Sequence, residues 1–294
     1  MTHWQSYVED RNAETHTVVG NVQVLKELLS PQLGNRRDVF VYLPPSYTQT
    51  EQRYSVIYMH DGQNLFDAAT SFAGEWQVDE TMEALSHEGL EAIVVGIPNM
   101  GARRLDEYGP FRDPQRGGGQ GEQYLAFIVE TLKPLIDRDF RTYPDRAHTG
   151  ILGSSMGGLI SLYAFFRYPE VFGFVGALSP SLWFADAAIL PYLRQAPFTP
   201  GRIYLDVGTG EWGRTPGDHL LLYAFSRRLA RFRRTRILLV QKGYQPGRDL
   251  LYVEELRALH HETAWARRLP GALRFLLGGI IPHGRARHGA WVVA

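Results

Sequence analysis

The sequence holds no cysteine, and that absence removes disulfides, thiolate metal sites and a cysteine nucleophile together. Lysine is nearly missing as well: apart from Lys26, Lys133 and Lys242, every basic residue is arginine. Neither sign of charge is in excess, with 31 basic and 31 acidic residues, so no global field draws nucleic acid or an anionic membrane. The basic cluster from Ser226 to Arg236 has helical spacing and reads as a solvated helix face. No apolar run approaches the ~18 residues of a membrane span, and the N-terminus lacks a basic segment followed by an apolar one. These absences lead us to expect a soluble, cytoplasmic protein with neither nucleic acid nor membrane as partner.

What is present suits a folded chain: 294 residues, 44% of them hydrophobic and 21% charged. There is no internal repeat or long linker, so residues 1–294 are expected to form a single domain, with an N-terminal arm over 1–16 and an irregular tail over 279–294. The glycine-rich Arg116 to Glu122 reads as a mobile loop. Strand-like runs such as "DVFVYLP", "YSVIYMH", "AIVVGI", "RIYLDVG", "RILLVQ" and "LLYVEEL" alternate, from about Tyr54 onward, with helical stretches. The central strands are continuously apolar, as in a parallel sheet covered on both faces. The first two strands have no helix between them and suit an antiparallel hairpin at one edge. The expected class is α/β, with a mostly parallel sheet of about eight strands and helices on both faces.

One segment resists a purely structural reading. In "TGILGSSMGGLISLYAFFRYPE", Gly153-Ser154-Ser155-Met156-Gly157 fits G-x-S-x-G between a strand-like and a helix-like run. A side chain at the centre of such a turn needs bare neighbours two residues before and after it, so that chains pass closely. Ser155 would project its hydroxyl at a helix N-terminus, where unpaired N–H groups can hold an oxyanion. Ser154 is excluded from that role, because Leu152 stands where the first glycine would be.

A serine needs a base, and in the α/β-hydrolase order the acid and then the histidine follow it. His219, His260, His261, His283 and His288 follow Ser155. His260 and His261 lie between the strand-like "LLYVEELRAL" and the last helix, where a base belongs; His260 is preferred and His261 is its alternative. For the acid, "RIYLDVGTGEW" offers Asp206 within the strand and Glu211 in the loop after it, and Glu211 is preferred for its reach. Backbone N–H groups of Gln63, in the turn after "SVIYMH", and of Met156 would supply the oxyanion hole.

Taken together, "FVYLPPSY", "VIYMHDGQNLFD", "GIPNMGARRLDEYGPF", the Ser155 segment, "DVGTGEW" and "HHETAWARRLPGALRFL" resemble the esterase family that includes esterase D, feruloyl esterase and enterochelin esterase enzymes. The similarity runs from about Val18 to Leu277 and implies an α/β-hydrolase fold. It implies Ser155 as nucleophile and Glu211 as acid, although many relatives carry Asp there. It also sets the register "H-x-E-x-x-W" on His260, Glu262 and Trp265, which selects His260 over His261.

The expected activity is hydrolysis of a small-to-medium ester of acyl, feruloyl, sugar or siderophore type, with no cofactor and no metal. A serine acyltransferase, or a binding protein on this fold that catalyses nothing, are the alternatives, and a peptidase would share the triad. Trp76, Tyr108, Trp183 and Trp212 are candidate walls of the substrate pocket. Arg103 and Arg104 could meet an anionic substrate or pair with Asp106 and Glu107.

Overall fold

A computed structural model describes residues 3–7, 16–211, 219–278 and 291–293. Its strands are β1 (Gln5–Ser6), β2 (Asn21–Ser30), β3 (Asn35–Leu43), β4 (Ser55–His60), β5 (Ala92–Ile97), β6 (Arg112–Asp113), β7 (Gly117–Gly118), β8 (Thr149–Ser154), β9 (Phe174–Leu178), β10 (Arg202–Gly208), β11 (Leu250–Glu255) and β12 (Trp291–Val293). The helices are α1 (Val78–Ser86), α2 (Arg104–Tyr108), α3 (Gly121–Ala126), α4 (Lys133–Asp139), α5 (Met156–Arg167), α6 (Phe184–Ala187), α7 (Ile189–Gln195), α8 (His219–Lys242) and α9 (Glu262–Gly278).

Ten strands form one sheet in the order β1-β2-β3-β5-β4-β8-β9-β10-β11-β12. Eight of them are long, and the short β1 and β12 are its edges, β12 falling inside the tail expected to be irregular. The run from β5 to β11 is parallel throughout, while β2 and β3 form the antiparallel hairpin expected at one side. From β4 the chain crosses to β5 on one side, and from β8 it crosses to β9 on the other. That reversal opens a crevice at the carboxyl ends of β4 and β8, where open α/β sheets bind their ligands.

Alternation along each strand divides the core. Val56, Tyr58, Ile151, Val175, Ile203 and Leu205 pack on one face with α5 and its neighbours. Ile57, Met59, Leu152, Phe174, Leu178 and Tyr204 pack on the other against α1 and α9. This two-sided burial explains why the central strands read as unbroken apolar runs.

Two sequence expectations are overturned. "RILLVQ" is not a strand but the last turns of α8: Leu229, Phe232, Thr235 and Leu239 are buried at helical spacing, while Ile237 and Val240 are exposed. The glycine run after Arg116 forms β7, which pairs with β6, and the Gly118 N–H donates to Asp106 Oδ1 at 2.8 Å. Between α3 and α4 the helix widens to π geometry over Phe127–Leu132, just ahead of Pro134, whose ring cannot sit beside the carbonyl four residues back. Among the described residues no helix is long and apolar enough to cross a membrane.

Candidate active site

β8 ends at Ser154 and α5 starts at Met156, leaving Ser155 as the single residue of the turn. Its φ of 54° and ψ of −118° are strained for any residue with a side chain. The crossing is close: a Cβ on Gly153 would lie 2.8 Å from both the Gly157 carbonyl carbon and His60 Cδ2. The first glycine of the motif is thus required by packing, as its spacing led us to expect.

His260, in the loop between β11 and α9, brings Nε2 to 2.9 Å from Ser155 Oγ. Its Nδ1 lies 3.0 Å from Glu211 Oε2, in the loop after β10. The imidazole packs edge-on against Trp265 at 4.9 Å between ring centres. Its side chain is 35% exposed and that of Glu211 only 1%, so the pair joins a wet end to a dry one. His261 turns away and meets Thr263 Oγ1 at 3.2 Å.

The dry end is held by residues that the motifs do not mark. Glu211 Oε1 accepts the Gly208 N–H at 2.7 Å and also the Ser179 hydroxyl. Ser179 Oγ in turn accepts from Arg268 Nη2 at 2.8 Å, which directs its own proton toward Glu211. Arg268 is buried on α9 and reaches Asp206 Oδ2 and Glu255 Oε2, at 2.8 and 2.9 Å. Asp206 therefore points to the α9 face, away from His260. Burial pushes its carboxyl up, and the Arg268 guanidinium pulls it back down. One sequence signal was available for Arg268: it is a charge on a stripe otherwise made of Trp265, Ala272 and Leu276.

Opposite the elbow, β4 ends in a left-handed Asp61 (φ 56°), followed by the short turn Gly62–Asn64. A Cβ on Gly62 would come within 2.7 Å of the Gly96–Pro98 backbone, so the turn tolerates no side chain there. The Asp61 N–H donates to the Tyr108 hydroxyl at 3.0 Å, and its carboxylate receives Arg104 at 2.7 and 2.8 Å and Asn99 Nδ2 at 2.7 Å. Gln63 is braced in the same way: its carbonyl accepts the Thr70 hydroxyl and its side chain the Asn99 N–H. Gln63 and Ser155 share the walls of one cleft, with Met156 at the first helical position beside Ser155.

That cleft, of about 1070 Å³, is lined by Gln63, Phe72, Trp76, Arg104, His260 and Trp265 among others. Trp76 lines the cleft with its ring nearly buried, tilted against Trp265 with 5.7 Å between ring centres. Tyr108 is not a wall: it is fully buried and fixes Asp61. Trp183 lies on the far side of His260, lining a small recess with Ser179 and Glu211. Trp212 lies outside the described residues. Arg104 lines the cleft and pairs with Asp61, and Glu107 pairs with Arg37 at 3.0 Å, so the expected pairing of Arg104 with Glu107 does not form. The 70–73 segment of the wall, with Phe72 93% exposed, carries no motif, and sequence reasoning missed it.

Beneath the elbow, His60 is buried, with Nδ1 2.8 Å from the Tyr124 hydroxyl. Burial pushes its imidazole down to about 3, with nearby Asp61 opposing and Arg104 adding to the shift. In an unfolded chain the same group takes up a proton near ~6.5. The neutral ring thus favours the fold fully above that value, and the contribution is lost as pH falls toward 3. Urea unfolding is expected to show a loss of up to about 1.4 kcal/mol per pH unit below pH ~6.5 from this group, absent in His60→Asn. An equal slope in the variant would remove His60 as the cause.

Comparison with known proteins agrees with this architecture. A family model described as "Putative esterase" matches residues 30–276. Uncharacterized protein YbbA of Bacillus subtilis is 28% identical over 264 residues, 86% of this chain and 98% of its own. The ferri-bacillibactin esterase BesA of the same organism is 28% identical over 189 residues, 55% of this chain and 60% of its own. The solved structure of an IroE-like serine hydrolase from Shewanella oneidensis superposes with a TM-score of 0.67 at 23% identity, covering 87% of this chain and 80% of that one. At that identity the likeness speaks for the fold, which is that of the α/β-hydrolase esterases. A match spanning nearly the whole sheet carries the assignment of kind: the chain belongs to the putative esterase family and is an esterase-type enzyme.

Proposed function

We propose that the protein is a serine carboxylic-ester hydrolase, with Ser155 as nucleophile, His260 as general base and Glu211 as the acid that orients it. The observation carrying this reading is the unbroken line from Ser155 Oγ to His260 Nε2, and from His260 Nδ1 to Glu211 Oε2, at 2.9 and 3.0 Å. In the acylation step Ser155 Oγ bonds the ester carbon while its proton passes to His260 Nε2, and the carbonyl electron pair moves onto oxygen. The N–H groups of Gln63 and Met156 receive that negative charge, each such donor being worth roughly 10²–10³ in rate. Collapse expels the alkoxide, which takes the proton back from Nε2; water then attacks the acyl-enzyme by the same route.

The cleft supports an ester with a flat aromatic portion, since Trp76, Trp265 and Phe72 line it beside Ser155. Relatives named as siderophore esterases, from Emericella nidulans and Aspergillus fumigatus, point to a siderophore ester as one candidate. Exposure of His260 favours water over an alcohol as acyl acceptor, and so hydrolysis over transfer.

The test is turnover of p-nitrophenyl esters, from acetate to decanoate plus ferulate, together with labelling by an organophosphonate. Expected are release of p-nitrophenol, a preference for the feruloyl ester, and a single covalent adduct found by peptide mass at Ser155. Product analysis with added alcohol should return mainly the free acid. Turnover with the adduct on another residue, or no turnover of any ester, would overturn the reading.

A further inference from the structure

Nearly every buried carboxylate among the described residues has a basic side chain facing it. Asp61 has Arg104, Asp67 has His16, Glu107 has Arg37, Asp206 has Arg268 and Glu254 has Arg233. Asp79 is the exception. It is fully buried in the first turn of α1, and its near neighbours Glu80 and Glu75 are acids too. One carboxylate oxygen from each of the three can be chosen so that all lie within 4.8 Å of one another. In addition, Glu75 Oε1, Asp79 Oδ1 and Glu80 Oε2 are sealed from solvent and have no hydrogen-bond partner.

We propose that Glu75, Asp79 and Glu80 form a binding site for a hard divalent cation of the calcium type, which ties the wall of the cleft to α1. Three carboxylates held this close in a dry place repel one another, and a buried unpaired charge is the costliest group a fold can keep. A cation with oxygen ligands at roughly 2.3–2.6 Å fits a triangle of this size and needs only oxygen donors. The remaining oxygens are already used in ways that leave the cluster open: Asp79 Oδ2 accepts the Val19 N–H at 2.8 Å, and Glu75 Oε2 accepts the Thr17 hydroxyl at 3.0 Å.

The consequence for the site follows from where Glu75 sits. It adjoins Trp76, and the stretch of Thr70, Ser71, Phe72 and Ala73 just before it forms one wall of the cleft. A cation shared with Asp79 and Glu80 would fasten that wall to α1 and, through Val19 and Thr17, to the strand that follows. It is a structural ion and takes no part in ester chemistry.

The test reads stability, so its outcome is separate from that of the esterase reading. The full-length chain, stripped with EDTA, is melted at pH 7.5 with and without millimolar CaCl₂, MgCl₂ or MnCl₂. At a hundredfold excess of cation over its dissociation constant, the midpoint is expected to rise by about 4 °C or more. Terbium(III) should bind in the same place and luminesce on excitation of the adjacent Trp76. Asp79→Asn should lose both responses while melting, metal-free, close to the wild-type temperature, because the amide oxygen still accepts the Val19 N–H. Glu75→Gln repeats the test at a less buried position. No shift with any of the three ions, or the same shift in both variants, would overturn the site and leave a proton shared by Asp79 and Glu80 in its place.

Discussion

Replacing Ser155 by alanine is expected to lower kcat for a p-nitrophenyl ester by about 10⁴-fold or more, and adding His260→Ala to that variant is expected to cost almost nothing further. The reason is geometric. His260 Nε2 faces Ser155 Oγ at 2.9 Å, so its proton-accepting role exists only while that hydroxyl is present. Residues that act as one unit fail as one unit. The activity left in each variant should be similar, supplied by the N–H groups of Gln63 and Met156 and by binding in the cleft. Steady-state kinetics on the two single variants and the double variant decide the matter. If the losses multiply, serine and histidine act in separate steps; if Ser155→Ala keeps its activity, another residue is the nucleophile.

Much of this constellation was legible because its pieces are local. The elbow announces itself by glycines at fixed distances from Ser155, since the close crossing with His60 and Gly157 forbids a Cβ. The continuous apolar strands, the edge hairpin and the placing of Glu211 and His260 in loops after strands also follow from short-range pattern. What failed were features decided by packing at a distance. "RILLVQ" has strand composition, but it continues a helix whose buried stripe already runs through Phe232 and Thr235. Tyr108 has the look of a pocket aromatic, yet its hydroxyl takes the Asp61 N–H and the ring is sealed in. Ser179 and Arg268 are 89 residues apart in the chain and meet only because β9 and α9 pack together, so no motif could join them to Glu211.

Glu211→Gln is expected to lower kcat by roughly 10³–10⁴-fold with KM little changed, although the substitution keeps size and shape almost intact. The argument rests on which groups already donate to this carboxylate. Gly208 N–H and the Ser179 hydroxyl both point at Oε1, and His260 Nδ1 faces Oε2. A glutamine must place its amide oxygen on one side and its NH₂ on the other. Toward the Gly208–Ser179 side two donors wait, and the Ser179 proton is kept there because Arg268 occupies the hydroxyl's acceptor side. The amide oxygen therefore settles there, and the NH₂ turns to His260. Nδ1 must then accept, which puts the ring proton on Nε2, facing Ser155, and an imidazole in that tautomer cannot take the serine's proton. Ser179→Ala removes one of the two donors and the link to Arg268 while leaving the carboxylate in place, so a smaller loss in kcat is expected, again with KM held. Combining it with Glu211→Gln should restore part of the activity, since the amide is then freer to turn its oxygen to His260. A Glu211→Gln loss below about tenfold would show that the imidazole needs no orienting acid in this enzyme, and no recovery in the double variant would show that Ser179 does not govern the amide's orientation.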